Sequence, residues 1–130
     1  MQFEPICDKT FIGDEWLYMV NYYGQISNEQ IVYYKQKYGN IIVDNVQAFF
    51  QRPVDGIDTI YTCRKFFGVS DGGYLYTNTK LDVLEKDYSY DRMQFLFGCL
   101  EKSANEFYDE YVENNKMFRT QDVKEMSYDG

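Results

Sequence analysis

Toward the C-terminus, apolar residues recur at a spacing that suits a helix and little else. Met93, Phe97, Leu100, Ala104, Phe107, Tyr111, Asn114 and Phe118 follow alternating steps of four and three, which places them on one stripe of a helical cylinder. Glu101, Lys102, Glu106, Asp109, Glu110 and Glu113 fall on the opposite side. The stripe is preceded by a helix-start signature. In Tyr90-Asp91-Arg92-Met93-Gln94-Phe95, Asp91 can cap, Gln94 can reach back, and Tyr90 can staple onto Phe95. The spacing predicts one helix over 92–118, about 40 Å long at 1.5 Å per residue. Its first half, through Ala104, is expected to pack within the chain, and its second half, Phe107–Phe118, to project. Because the same spacing suits a coiled-coil seam, with Asn114 as a register-fixing polar position, homodimerisation through 93–118 is also expected.

Upstream, Asp14 can cap a helix through Tyr23, with Gly24 as its stop. Ile26-Ser27-Asn28-Glu29-Gln30-Ile31 carries a full capping box and staple, so a helix is predicted over 28–38. Its buried stripe is Ile31, Tyr34 and Tyr38, and Gly39 ends it. Asp44 can cap a third, short helix over 45–52, ended before Pro53. The period then changes to two. Thr59–Phe67 and Tyr74–Thr79, joined through Ser70-Asp71-Gly72-Gly73, read as a hairpin. The expected class is therefore α+β: three short helices, a β-hairpin and a long C-terminal helix. The chain of 130 residues suits one domain, with helices and hairpin over 12–81, the long helix over 82–119 and an acidic tail over 120–130.

Composition narrows the chemistry. There is no histidine, which removes the commonest general base and most zinc sites. Cys7, Cys63 and Cys99 are odd in number and widely spaced, unlike a disulfide framework or a paired metal motif. Cys63 and Cys99 lie in apolar surroundings and read as buried, inert thiols. Cys7-Asp8-Lys9-Thr10 resembles the phosphorylated motif of cation-pumping ATPases, but Phe11 stands where glycine should follow. Asp55-Gly56-Ile57-Asp58 reads as a turn rather than a paired-carboxylate site. No catalytic residue, metal or cofactor is expected. The N-terminus has no basic region followed by an apolar run, and no stretch approaches a membrane span. The expected location is the cytoplasm, that of the host if the chain is viral.

Charge and aromatic content point to binding. Thirteen basic and 21 acidic residues leave a formal charge of −8. Residues 1–29 carry −4, residues 30–81 carry +2 and residues 82–130 carry −6. Aromatic residues make up 19% of the chain, a surplus that suits interfaces. Glu106, Tyr108, Asp109, Glu110, Tyr111 and Glu113 form the expected partner-binding set, a line of negative charge suited to the basic surface of a nucleic-acid-binding protein. In size and composition the chain resembles the small acidic phage proteins that inhibit nucleases and CRISPR effectors by imitating DNA. The order of three short helices and a hairpin over 14–79 also resembles a winged helix-turn-helix. That resemblance implies a DNA-binding regulator using Lys35, Lys37, Asn45, Gln47, Gln51, Arg52, Arg64 and Lys65. Lys35 departs from it, since a small residue is usual there, and the 39–44 connection is longer than the usual turn.

Overall fold

Ile41-Ile42-Val43 is a short β-branched run bounded by Gly39-Asn40 and Asp44-Asn45, the pattern of a strand buried in a parallel sheet. A computed structural model, which describes residues 10–69, 71–92 and 94–127, places it inside a four-stranded sheet. The strands are β1 (Leu17–Val20), β2 (Ile41–Asp44), β3 (Asp58–Thr62) and β4 (Gly73–Tyr76), in the order β1-β2-β3-β4. Strands β1, β2 and β3 run parallel, and β4 returns antiparallel to β3 with Thr59 opposite Tyr76. The fold is α+β, with three α-helices among the described residues: α1 (Asn28–Tyr38), α2 (Gln94–Glu101) and α3 (Tyr108–Met117).

Helix α1 forms as its signature requires. Ser27 Oγ accepts from Gln30 N, Gln30 Oε1 accepts from Ser27 N at 2.9 Å, and Gly39 ends the helix at φ 78°. It is the crossover between parallel β1 and β2, the length of connection that parallel pairing demands. Ile31 and Tyr34 pack with Met19, Ile26, Ile41, Val43 and Ile57 into the core, with Tyr38 at its margin.

Three expected elements differ. Residues 14–23 form strand β1 and a 3₁₀ turn at Tyr22–Gly24, not a helix. Residues 17–20 alternate exposed Tyr18 with buried Met19, and their pairing with β2 outweighs the capping residue Asp14. Residues 45–52 are not helical either. Asp44 Oδ1 does accept from Val46 N at 2.8 Å, but Asn45 N is drawn to Ile60 O at 2.8 Å, which ties the segment to the central strand β3 as it leaves β2 in two successive turns. With both helices replaced, the winged-helix arrangement does not form. The hairpin does, as β3 and β4, and its connection turns at Gly72 with φ 110°.

The long helix is broken. Helix α2 ends at Glu101, and Ser103 is extended and caps a 3₁₀ turn at Ala104–Phe107, through its side chain and Asn105 N. The chain then re-enters α3 with Phe107 folded back on α2. Gly98 makes this fold-back feasible: a Cβ there would lie 2.2 Å from the Phe107 ring. The stripe therefore faces no single surface. Phe97 and Leu100 are 63% and 83% exposed, whereas Phe95 and Asn114 are buried. The expected division into a packed first half and a projecting second half does not hold: each half has buried and exposed positions, and α3 returns to the chain through Asn115 and Phe118, which hold Arg64. Residues 1–9, Ser70, Met93 and residues 128–130 lie outside the described residues. So do the readings placed on them: the leader and the Cys7 motif, the first stripe position, and the end of the tail.

Candidate partner-binding surfaces

The residues expected to read DNA bases are used up inside the molecule. Asn21 and Asn45, at the exits of β1 and β2, are 0% and 1% exposed. Asn21 Nδ2 donates to Asn45 Oδ1 at 3.0 Å and to Gln51 Oε1 at 2.9 Å, and Asn21 Oδ1 accepts from Ile26 N at 2.9 Å. Gln51 Nε2 donates to Ile26 O and Asn28 Oδ1, both at 2.9 Å. Tyr61 Oη donates to Gln51 O at 2.9 Å, and burial pushes this phenol's pKa up. The network ties three strand exits to the start of α1. Gln47 is not among its members: its Oε1 is buried with no hydrogen-bond partner among the described residues.

The basic set is also divided. Asn28 Nδ2 donates to Arg52 O at 3.3 Å, so Arg52 lies by the first turn of α1. Lys35 and Lys37 occupy its last turn, about 10 Å further along at 1.5 Å per residue. The Lys37 ammonium sits 5.0 Å from the Tyr38 ring centre, and its pKa is raised chiefly by Tyr38. Arg64 donates to Asn115 Oδ1 at 2.6 Å and stacks on Phe118 at 5.1 Å. Lys65 is exposed. No continuous groove-facing row results.

The acidic set is brought together. Asp109, Glu110 and Glu113 project from α3, and Glu106 from the 3₁₀ turn before it, all exposed. Glu110, Glu113, Asn114 and Met117, at helical steps of three and four, line a groove of about 310 Å³ whose other wall is Asp91 and Gln94. Asp91 enters this site because the 3₁₀ turn at Tyr90–Arg92 lies across from α3, a proximity no spacing in the chain announces. Lys116 Nζ, 3.6 Å from Glu113, is a solvated partner of small energetic weight. Tyr108 is exposed, while Tyr111 turns toward Phe95 at 5.8 Å. Tyr111 thus belongs to the next surface rather than to the acidic groove.

That next surface is aromatic. Phe49 is ringed by Phe50, Phe66, Phe67 and Tyr74, with centroids 5.4–6.3 Å away. Phe50 is 76% exposed, and Phe66, Phe67 and Tyr74 are all exposed in part. Contiguous exposed aromatics of this kind mark interaction sites. The adjacent pairs Phe49-Phe50 and Phe66-Phe67 were the available signal, but turns rather than periodicity bring them together. A groove of about 550 Å³ links Phe67 to Phe95 and Tyr111, so the aromatic patch leads into the C-terminal helices. The thiols differ from each other: Cys63 is buried and Cys99 exposed, which corrects the expectation of two core thiols.

Among the described residues no helix is long and apolar enough to cross a membrane. No known protein family, curated protein or solved structure matches this chain.

Proposed function

We propose that this chain is a non-enzymatic protein-interaction module, an acidic inhibitor or regulator that docks on the basic surface of a nucleic-acid-handling protein. The observation that carries the reading is the α3 groove. Glu110, Glu113 and Asp91 converge on one cleft, flanked by exposed Asp109 and Glu106. Such a surface attracts Lys and Arg groups and repels a phosphate backbone. The aromatic patch at Phe49, Phe50, Phe66 and Phe67 supplies the apolar, rigid contacts that concentrate binding energy in interfaces. The likeness to DNA-imitating phage inhibitors belongs to this proposal. A second copy is a further candidate partner, seated on exposed Phe97 and Leu100 of α2.

The test is capture from the native host at low and high salt, comparing the wild-type chain with Glu110→Lys/Glu113→Lys. The reading expects a nucleic-acid-binding protein to be held by the wild type, lost in the variant and weakened by salt. Tight, salt-dependent binding of duplex DNA by the chain itself would contradict it.

A further inference from the structure

The connection between β3 and β4 is tightly wound at its start. Phe66 N and Phe67 N both donate to Cys63 O, at 3.0 and 2.9 Å. Arg64 and Phe67 stand three apart on that turn, a spacing that brings side chains to one side. They face Phe95, Leu96 and Tyr111 across the groove of about 550 Å³. The Phe95 and Tyr111 rings meet edge to face at 5.8 Å, and Val46 and Val69 complete the apolar wall. A groove of this size and lining is an ordinary setting for a small organic ligand.

Its charge is opposite to that of the molecule. The chain has 21 acidic residues against 13 basic, and acids line the clefts at Asp87 and at Glu110. Among the described residues no acid lines this groove, whereas Arg64 and Lys65 both do. Neither cation forms an ion pair with a described carboxylate. Arg64 is half-buried, gives one N–H to Asn115 Oδ1 at 2.6 Å and rests on the Phe118 ring. These contacts fix the guanidinium without using up its five N–H donors. Its Nε and Nη1 bond to no described residue and are not buried, so they stay open to a ligand. Lys65 is exposed.

Cationic donors beside apolar walls specify an anion that carries an apolar body. A carboxylate or a phosphate matches the guanidinium fork, and the rings and aliphatic side chains gain by covering hydrocarbon. The acidic side chain of a protein has too short a stem to cover Phe67, Phe95 and Tyr111 together. We infer that this groove binds a small amphipathic anion, with its head on Arg64 and Lys65 and its hydrocarbon body against Phe67, Phe95, Leu96 and Tyr111. The site is distinct from the α3 groove, which Glu110 and Glu113 line, and does not rest on the docking proposal.

The test uses the full chain and ligands with matched hydrocarbon bodies: decanoate, decyl phosphate, decanol and decylamine, all below their micellar concentrations. Binding is followed by amide shifts of Val46, Phe67, Gly68 and Leu96. Saturable binding of an anion is expected, and the tighter of decanoate and decyl phosphate identifies the head group. Decanol should bind at least about tenfold more weakly, the loss of a charge-assisted contact, and decylamine should not saturate. Arg64→Gln/Lys65→Gln should weaken the anions by about tenfold and leave decanol unchanged, a split that a merely structural role for Arg64 would not give. If that variant does not fold, Lys65→Gln and Leu96→Asp carry the test, each weakening decanoate more than decanol. The inference is overturned if neither anion saturates, if decanol or decylamine binds as tightly, or if the cation variants hold the anions as well as wild type does. It is also overturned if short poly-glutamate saturates the same amides more tightly than decanoate, which would make the groove a protein-docking site. Shifts of those amides with protein concentration alone would overturn it too, by placing a second copy there.

Discussion

Replacing Asn21 with alanine tests whether the amide network at the strand exits is structural. The side chain holds three partners: Ile26 N, Asn45 Oδ1 and Gln51 Oε1. Asn45 and Ile26 are buried, so water cannot replace their lost bonds without opening the carboxyl end of the sheet, whereas half-buried Gln51 can recover part of its own. An orphaned buried polar group costs about 1–3 kcal/mol. Three of them, partly relaxed, give about 3–6 kcal/mol, against a total stability of about 5–15 kcal/mol for a domain. In equilibrium urea unfolding the midpoint should fall by about 2 M with the slope unchanged. Asn105→Ala, at an exposed position, should change stability by less than about 0.5 kcal/mol. A fall of under about 0.5 M for Asn21→Ala would refute the reasoning. It would also return Asn45 and Gln51 to the pool of surface groups free to meet a ligand.

Other consequences are as direct. Tyr18 Oη donates to Asp44 Oδ2 at 2.7 Å, and this bond, with burial and the negative charge, pushes the phenol from 10.0 up to about 12. A folded pKa above the unfolded one means that the bond's contribution is complete below about pH 10 and disappears as pH rises toward 12. The stability gap between wild type and Tyr18→Phe should therefore close over that range in urea titrations; a constant gap would contradict the assignment. Gly98→Ala should destabilise the chain despite alanine's advantage of about 1 kcal/mol in a helix, because its Cβ displaces the Phe107 ring. A raised melting temperature would show that the fold-back is not a tight contact. Leu100→Glu should leave the monomer as stable as wild type, since Leu100 is exposed. If a second copy seats on α2, light scattering will show the wild type as a dimer and this variant as a monomer.

Helix α1 and the β3–β4 hairpin were legible because their signals are local. Ser27 and Gln30 lie within one turn of each other, and Gly72 permits the turn on its own. Strands β1 and β2 were not, because four-residue apolar runs look alike in helix and strand. What decides between them is the partner strand, 24 residues away in the pairing of Leu17 with Ile41. The 93–118 stripe was read correctly as helical and wrongly as continuous. The contact that marks the break joins Gly98 to Phe107, which a continuous helix would place on opposite faces. At the candidate site, Asp109, Glu110 and Glu113 were visible as charges along α3, and Glu106 as a charge in the turn before it. The opposing wall at Asp91 was not, and neither was the aromatic patch, which unites residues from two turns and a strand. Asn45 and Gln51 were misread as surface readers, since polar residues at a strand exit give no local sign that they are buried.

We propose that the acidic face of α3 occupies a partner surface that otherwise holds nucleic acid. The measurement that bears on it most directly is competition. A labelled duplex is bound to the captured partner, the chain is added, and the anisotropy is followed. The account predicts stoichiometric release of the duplex by the wild type and none by Glu110→Lys/Glu113→Lys. It is contradicted if chain and duplex bind the partner together, or if the charge-reversed variant releases the duplex as well as the wild type does.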